Sequence, residues 1–140
     1  MKRILIVEDD PDFLLGLSVR LRAAGYSILV AGHGAAAVNF AGSKPPDLIL
    51  LDIGIPGGNG LIVLDLLKAD PKTASIPVIV LTGRDPATVK EKTLELGAVA
   101  FFQKPVDNDE LLKAIRKHAG EGRAGDKGAN EGANPSSVSG

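Results

Sequence analysis

The sequence predicts an α/β protein in which five βα units wind into one parallel sheet with helices on both faces. Three observations predict it. Short apolar runs alternate with longer segments of helical spacing, the pattern that strands and crossover helices of a parallel sheet produce. Three of those runs, ILIV at 4–7, LILL at 48–51 and VIVL at 78–81, are unbroken, as strands covered on both faces should be. The chain has 140 residues, of which 44% are hydrophobic and 24% charged. That suits one globular domain with a buried core and leaves no room within these residues for a second large one.

The first strand is read over Arg3–Val7. Asp10-Pro11 then supplies the N-cap and first position of a helix whose inward face is Leu14, Leu17, Leu21 and Ala24, with Gly25 as its stop. The second strand, Tyr26–Ala31, is interrupted by Ser27, and a less sharply bounded helix follows at about 35–41. The third strand is Asp47–Leu51, followed by a helix at about 60–69; the fourth is Pro77–Leu81. Asp85-Pro86 repeats the capping device ahead of a helix with Val89 and Leu96 inward and Gly97 closing it. The fifth strand, Val99–Gln103, ends on a polar residue. Asp107 with Glu110 then forms a capping-box variant before Leu111, Leu112 and Ile115. Unbroken runs belong at the centre of the sheet and broken ones at its edges. Right-handed crossovers then give strand order 2-1-3-4-5, the flavodoxin-like (βα)5 doubly wound arrangement.

Residues 119–140 hold six glycines, and their only aliphatic side chain larger than alanine is Val138. They cannot bury enough surface to offset the entropy of ordering. The expectation is a folded domain over 1–118 and a flexible tail or linker stub over 119–140. Sixteen basic residues against 17 acidic ones give a formal charge of −1, so there is no basic field and nucleic acid is not an expected partner. With no cysteine, disulfides, thiolate zinc sites and thiol nucleophiles are excluded. No stretch approaches the roughly 18–20 apolar residues of a membrane span. The opening MKRILIVEDD places acids where a secretory signal needs its cleavage region, so a cytoplasmic protein is expected.

In an open parallel sheet, ligands bind outside the carboxyl ends of the strands where strand order reverses. Strand 1 runs into Glu8-Asp9, strand 3 into Asp52, strand 4 into Thr82 and strand 5 into Lys104. Each has a plain structural reading by itself: Asp10 as a cap, Asp9 as a turn acid, Asp52 as a loop residue, Thr82-Gly83 as a turn, Lys104-Pro105 as a surface lysine before a rigid turn. His33 and His118 are given no chemical role. Gly57, Gly58 and Gly60 form a glycine-rich turn without the pattern of a nucleotide-phosphate loop. Together, however, the residues call for a cation. Two carboxylates about 4 Å apart repel by roughly 4 kcal/mol at an effective dielectric near 20, so Glu8, Asp9 and Asp52 need positive charge between them. Lys104 provides part of it, and a hard divalent ion such as Mg²⁺ would provide the rest. Such a crevice suits phosphoryl transfer, with a carboxylate as the available nucleophile.

VEDD after strand 1, LLDIGIPGGNG after strand 3, VLTG after strand 4 and GAVAFFQKP around strand 5 resemble the receiver domain of two-component response regulators. The likeness runs from about Lys2 to His118. It implies that Asp52 accepts a phosphoryl group from a histidine kinase or phosphotransfer protein. It also implies that Glu8 and Asp9, Asp9 ahead of Glu8 as direct ligand, hold Mg²⁺ together with Asp52, with the Gly54 carbonyl completing the shell. Thr82 would hydrogen-bond the phosphoryl group, Lys104 would pair with it, and a cis bond would precede Pro105. Phe101 occupies the aromatic switch position. Because it replaces the frequent tyrosine, switching must rest on ring packing. Gly83, where alanine is frequent, implies a looser loop, and Gly54 and Arg84 sit at the two positions that tune phosphoryl lifetime in this family.

The resemblance thus implies a signalling domain that catalyses only its own phosphorylation and dephosphorylation and presents a changed surface to a downstream effector, with a phosphorylation-dependent dimer as one form of output. Two other functions use the same features. An aspartate-nucleophile phosphatase of the haloacid dehalogenase type needs a second acid where Gly54 stands. A phosphorylation-independent, receiver-like binding module would not need the full set of Glu8, Asp9, Asp52, Thr82 and Lys104.

Overall fold

The computed structural model describes residues 1–54, 60–83 and 86–122. Strands and helices alternate as β1 (Arg3–Val7), α1 (Pro11–Ala23), β2 (Ser27–Ala31), α2 (Gly34–Ser43), β3 (Leu48–Asp52), α3 (Gly60–Ala69), β4 (Val78–Thr82), α4 (Pro86–Glu95), β5 (Ala100–Gln103) and α5 (Asn108–Ala119). All strand pairs are parallel and the sheet order is β2-β1-β3-β4-β5, the flavodoxin-like order expected from the apolar runs. The unbroken runs are the buried central strands, and β2 and β5 lie at the half-exposed edges.

Strand periodicity sorts the core into two layers. Leu5, Val7, Ile49, Leu51, Val78 and Val80 face Ala37 and Ala41 of α2 and Val63, Leu64 and Leu67 of α3, with Val89 and Leu96 packed against the same layer. Ile4, Ile6, Leu48, Leu50, Ile79 and Leu81 face Leu17 and Leu21 of α1 and Leu111 and Ile115 of α5. Each such fully buried aliphatic side chain stabilises the fold by about 1.5–3 kcal/mol, so both layers fix where the strand ends point.

The strand ends differ from the reading by one residue, with consequences for the site. β3 and β4 run on to Asp52 and Thr82, which pair in the ladder with Leu81 and Gln103. A polar side chain at a strand terminus does not prevent its backbone from pairing, which a reading that stops at the last apolar residue misses. Tyr26 conversely precedes β2, because its amide bonds back to the Leu21 carbonyl at 3.0 Å.

The helix caps follow the sequence. Asp10 Oδ1 accepts from the amides of Asp12 (3.0 Å) and Phe13 (3.4 Å), and Pro11 opens α1. Asp107 Oδ1 accepts from Asp109 (2.9 Å) and Glu110 (3.3 Å). Glu110 itself turns toward Lys113, 3.7 Å away, so among the described residues the box is one-sided. Gly25 and Gly97 take φ of 94° and 107°, the left-handed region that glycine enters without a Cβ clash. In α1 the fully buried set is Leu17, Ser18 and Leu21; Leu14 is half-buried and Ala24 is the C-cap. Asp85, Arg84, Gly57 and Gly58 lie outside the described residues.

Packing continues past His118. Ala119 is buried, Gly120 turns the chain at φ 92°, and the Tyr26 hydroxyl, on a residue only 2% exposed, donates to the Gly120 carbonyl at 2.6 Å. The Lys2 amide donates to the Gly122 carbonyl at 3.0 Å. A Cβ on Gly122 would stand 2.5 Å from the Ala24 carbonyl oxygen. Burial, and secondarily the charge of Glu121, pushes the Tyr26 phenol up to about 12. Residues 119–122 therefore belong with the packed domain. The expectation of a tail from 119 counted apolar side chains, whereas this strap is held by its backbone carbonyls. The rest of the expected tail, 123–140, lies outside the described residues. Among the described residues no helix is long and apolar enough to cross a membrane.

Candidate phosphoryl-transfer site

Parallel strands deliver the residues that follow them to one edge, and here that edge gathers charge. Glu8 follows β1, its amide still bonded to the Ala31 carbonyl (3.0 Å), and Lys104 follows β5, its amide bonded to the Thr82 carbonyl (2.8 Å). The ladder thus holds the backbones of both residues before their side chains meet. The Lys104 ammonium donates to Glu8 Oε1 at 2.5 Å and to Asp52 Oδ2 at 2.9 Å. The other oxygen of each acid is held by backbone: Glu8 Oε2 accepts from the amides of Asp9 (3.1 Å) and Asp10 (3.0 Å). Asp52 Oδ1 accepts from Gly54 N at 2.8 Å. The peptide bond between Lys104 and Pro105 is cis, as the resemblance implied.

Glu8 is 1% and Asp52 7% exposed. Burial raises the Glu8 carboxyl above its usual range, and the charge of Asp52 adds to this, against the bonds from Lys104 and the Asp10 amide. Lys104 also loses solvent, which alone would lower it, but its bonds to Glu8 and Asp52 outweigh that and hold the ammonium above its ordinary value. Asp9 completes the cluster with an exposed carboxylate that has no protein partner among the described residues.

Ligand atoms of Glu8, Asp9 and Asp52 all lie within 4.8 Å of one another. At that separation each like-charged pair repels by roughly 3–4 kcal/mol at an effective dielectric near 20. One ammonium against three carboxylates leaves two negative charges in a crevice whose donors are all oxygen. A hard divalent cation of the magnesium class fits that donor set and that charge.

Thr82 is fully buried at the end of β4, on the sheet face that carries Val80. Val80 pairs with Phe101 on β5, so Phe101 and Thr82 are diagonal neighbours on one face. The ring is half-buried against the α2–α3 layer. Gly83 is exposed, with open space where a Cβ would be, and a Cβ on Gly54 would sit in ordinary contact with Asp52 Oδ1 at 3.4 Å. His33 caps α2, its Nδ1 accepting from the Ala36 amide at 3.4 Å, and His118 lies in the last turn of α5. Neither joins the cluster.

Two site-building residues escaped the sequence reading. The Lys104 ammonium sits 4.2 Å from the centroid of the Phe13 ring on α1; the available signal was an aromatic three residues past the Asp10 cap, in the first turn behind the acidic pair. Gly60 opens α3 directly against the loop after Asp52. Its amide bonds to the Ile53 carbonyl at 3.2 Å, and a Cβ there would be 2.2 Å from Ile53 Cα. Only its place in a glycine-rich turn marked it.

This fold and this edge define a class. The model of the response regulator receiver domain family matches residues 4–116, and the chain belongs to that family. It is 40% identical over 115 residues to the protein PilH of Pseudomonas aeruginosa, covering 82% of this chain and 95% of PilH. It is 35% identical over 116 residues to the transcriptional regulatory protein KdpE of Mycobacterium tuberculosis, covering 83% of this chain but only 50% of KdpE. Among solved structures, a CheY-like receiver domain protein of Methanospirillum hungatei superposes with TM-score 0.77 at 30% identity, covering 84% of this chain and 92% of that one. The receiver domain of a sensor histidine kinase of Pseudomonas aeruginosa, which has a magnesium ion coordinated in its active site cleft, superposes with TM-score 0.78 at 28% identity, covering 86% and 98%.

Proposed function

We propose that this receiver domain accepts a phosphoryl group on Asp52 from a histidine kinase or phosphotransfer protein and passes the signal to an effector protein through a changed surface. One observation carries the reading: the Asp52 carboxylate is fixed through Gly54 N and Lys104 Nζ in a crevice it shares with two further acids. Glu8, Asp9, Asp52 and the Gly54 carbonyl would hold Mg²⁺. The ion would supply positive charge against the negative charge that spreads over the phosphoryl oxygens. An Asp52 oxygen attacks phosphorus, an acyl phosphate forms, and the bond to the donor's nitrogen or oxygen breaks, an imidazole leaving group taking a proton and a carboxylate such as acetate departing as its anion. Lys104, already bonded to Asp52, is placed to follow the new charge. Thr82 and Phe101, neighbours on one sheet face, are the residues through which we read the change reaching β5.

The chain is then a signalling domain whose only chemistry is its own phosphorylation and dephosphorylation. Its formal charge of −1 supports a protein partner rather than nucleic acid for these residues, and we place it in the cytoplasm, where a kinase can reach it. The phosphatase alternative loses support from Gly54, which contributes an amide to Asp52 where that chemistry needs an acid. Acetyl phosphate with Mg²⁺ should add one phosphoryl group by intact mass, and none to Asp52→Asn. Equal labelling of that variant would move the acceptor elsewhere, and an unlabelled wild-type chain would favour the binding-module function.

A further inference from the structure

The Lys104 ammonium has three N–H donors and, among the described residues, three side chains against it. Two present carboxylate oxygens, Glu8 Oε1 at 2.5 Å and Asp52 Oδ2 at 2.9 Å; the third is the ring of Phe13, 4.2 Å from Nζ to centroid. The Lys104 side chain keeps about a fifth of its surface in water. The ring lies over the ammonium beside the two acids. We propose that Phe13 is a positioning residue for phosphoryl transfer: its ring holds the Lys104 ammonium in the crevice while that ammonium exchanges its carboxylate partner for a phosphoryl oxygen. The inference rests on the reading of Asp52 as the phosphoacceptor.

The chemistry of the contact suits that task. A third carboxylate would hold the ammonium more tightly but would add to the repulsion among Glu8, Asp9 and Asp52. Water would let the flexible lysine stem wander among many rotamers. An aromatic face attracts a cation through its quadrupole, carries no net charge and takes no proton. The attraction persists while the cation stays over the face within about 6 Å of the centroid, so from 4.2 Å the ammonium can make a small shift toward new charge on Asp52 without losing the ring. Phe13 is itself seated by its own helix. Its amide donates to the Asp10 cap, and its ring is half-buried against the layer of Leu17 and Leu111. The ring is thus a fixed wall against which a mobile charge moves.

The test compares Phe13→Leu, which keeps an apolar side chain without a ring, with Phe13→Tyr, which keeps the ring. Phe13→Met is the second apolar variant if the leucine chain does not fold. In the wild type, the Lys104 Hε resonances should be displaced by the ring current. The displacement should vanish in Phe13→Leu and persist in Phe13→Tyr. With acetyl phosphate and Mg²⁺, the maximal phosphorylation rate of Phe13→Leu should fall roughly three- to tenfold, with the half-saturating donor concentration unchanged and the rate regained in Phe13→Tyr. A leucine variant within twofold of wild type, equal losses in the leucine and tyrosine variants, or Lys104 resonances that ignore the substitution would each overturn the proposal while leaving Asp52 as acceptor. A wild-type chain that takes no label on Asp52 would overturn the phosphoacceptor reading first, and this role with it.

Discussion

Ending the chain after Ala119, rather than after Gly122, should destabilise the domain by about 1–3 kcal/mol, although the three residues concerned bring no apolar side chain. The magnitude comes from their hydrogen bonds. The shorter chain loses the acceptor of the Tyr26 hydroxyl, 2.6 Å away on a residue 2% exposed. A buried hydroxyl left unpaired costs about 1–3 kcal/mol, and nearer 1 kcal/mol where water reaches it. The Lys2 amide also loses the Gly122 carbonyl, but Lys2 is only half-buried, and removing the strap lets water reach the amide. The ion pair of Arg116 with Glu121, 3.8 Å apart and exposed on both sides, contributes close to nothing. Ending the chain after Gly122 removes only residues with little to bury and should change stability by less than about 0.5 kcal/mol. Urea unfolding followed by circular dichroism measures both. With a slope of about 1–3 kcal/mol per molar, the shorter chain should lose roughly 1 M of midpoint against the longer. Tyr26→Phe supplies the control, because without the hydroxyl the two truncations should differ much less. If both truncations unfold within 0.5 kcal/mol of each other, the strap contributes nothing and the reasoning fails.

Because the Tyr26 phenol is held up to about 12 in the folded chain and titrates near 10 when unfolded, the unfolded state gives up its proton first. Stability should therefore be fully present below pH 10 and fall by on the order of 2–3 kcal/mol as pH rises to about 12; urea midpoints across that range should decline in the wild type and much less in Tyr26→Phe. Mg²⁺ should raise the melting temperature, by about 2.7 kcal/mol of stabilisation at a hundredfold excess over its dissociation constant. Asp9→Ala should lose most of that response, and an undiminished shift would place the ion elsewhere. Gly60→Ala should cost about 1–3 kcal/mol or more, since its Cβ would be 2.2 Å from Ile53 Cα and helix or loop must move. A loss under 1 kcal/mol would show that α3 reseats without strain.

The strand order and the identity of the edge strands were legible because burial on both faces writes itself into sequence as unbroken aliphatic runs, which ILIV, LILL and VIVL display. Asp10, Asp107, Gly25 and Gly97 were legible for a local reason: a cap or a left-handed turn depends on one residue and its nearest amides. The gathering of Glu8, Asp9, Asp52 and Lys104 was legible because a parallel sheet sends every strand's successor to one edge. What stayed hidden depends on distance along the chain or on the backbone alone. Phe13 meets Lys104 across 91 positions, and no local pattern announces that meeting. The Gly120 and Gly122 carbonyls have no side chain to read, and only the buried Tyr26 hydroxyl, needing an acceptor, hinted at them. Gly60 is dictated by a close approach that a glycine-rich turn does not distinguish from simple flexibility.

The pairing of Lys2 with Gly122 fixes the geometry of attachment. β1 stands between that pair and Glu8, six residue steps from Lys2, about 20 Å at roughly 3.3 Å per residue. Anything joined to either side of the domain therefore starts on the floor of the sheet, while the chemistry happens at its roof. A neighbour that stays beside its attachment therefore neither plugs the acidic crevice nor touches Asp52. What it meets there is the flank of the domain, and a fluorescent protein or affinity handle placed after Gly122 should leave the crevice open to a phosphoryl donor.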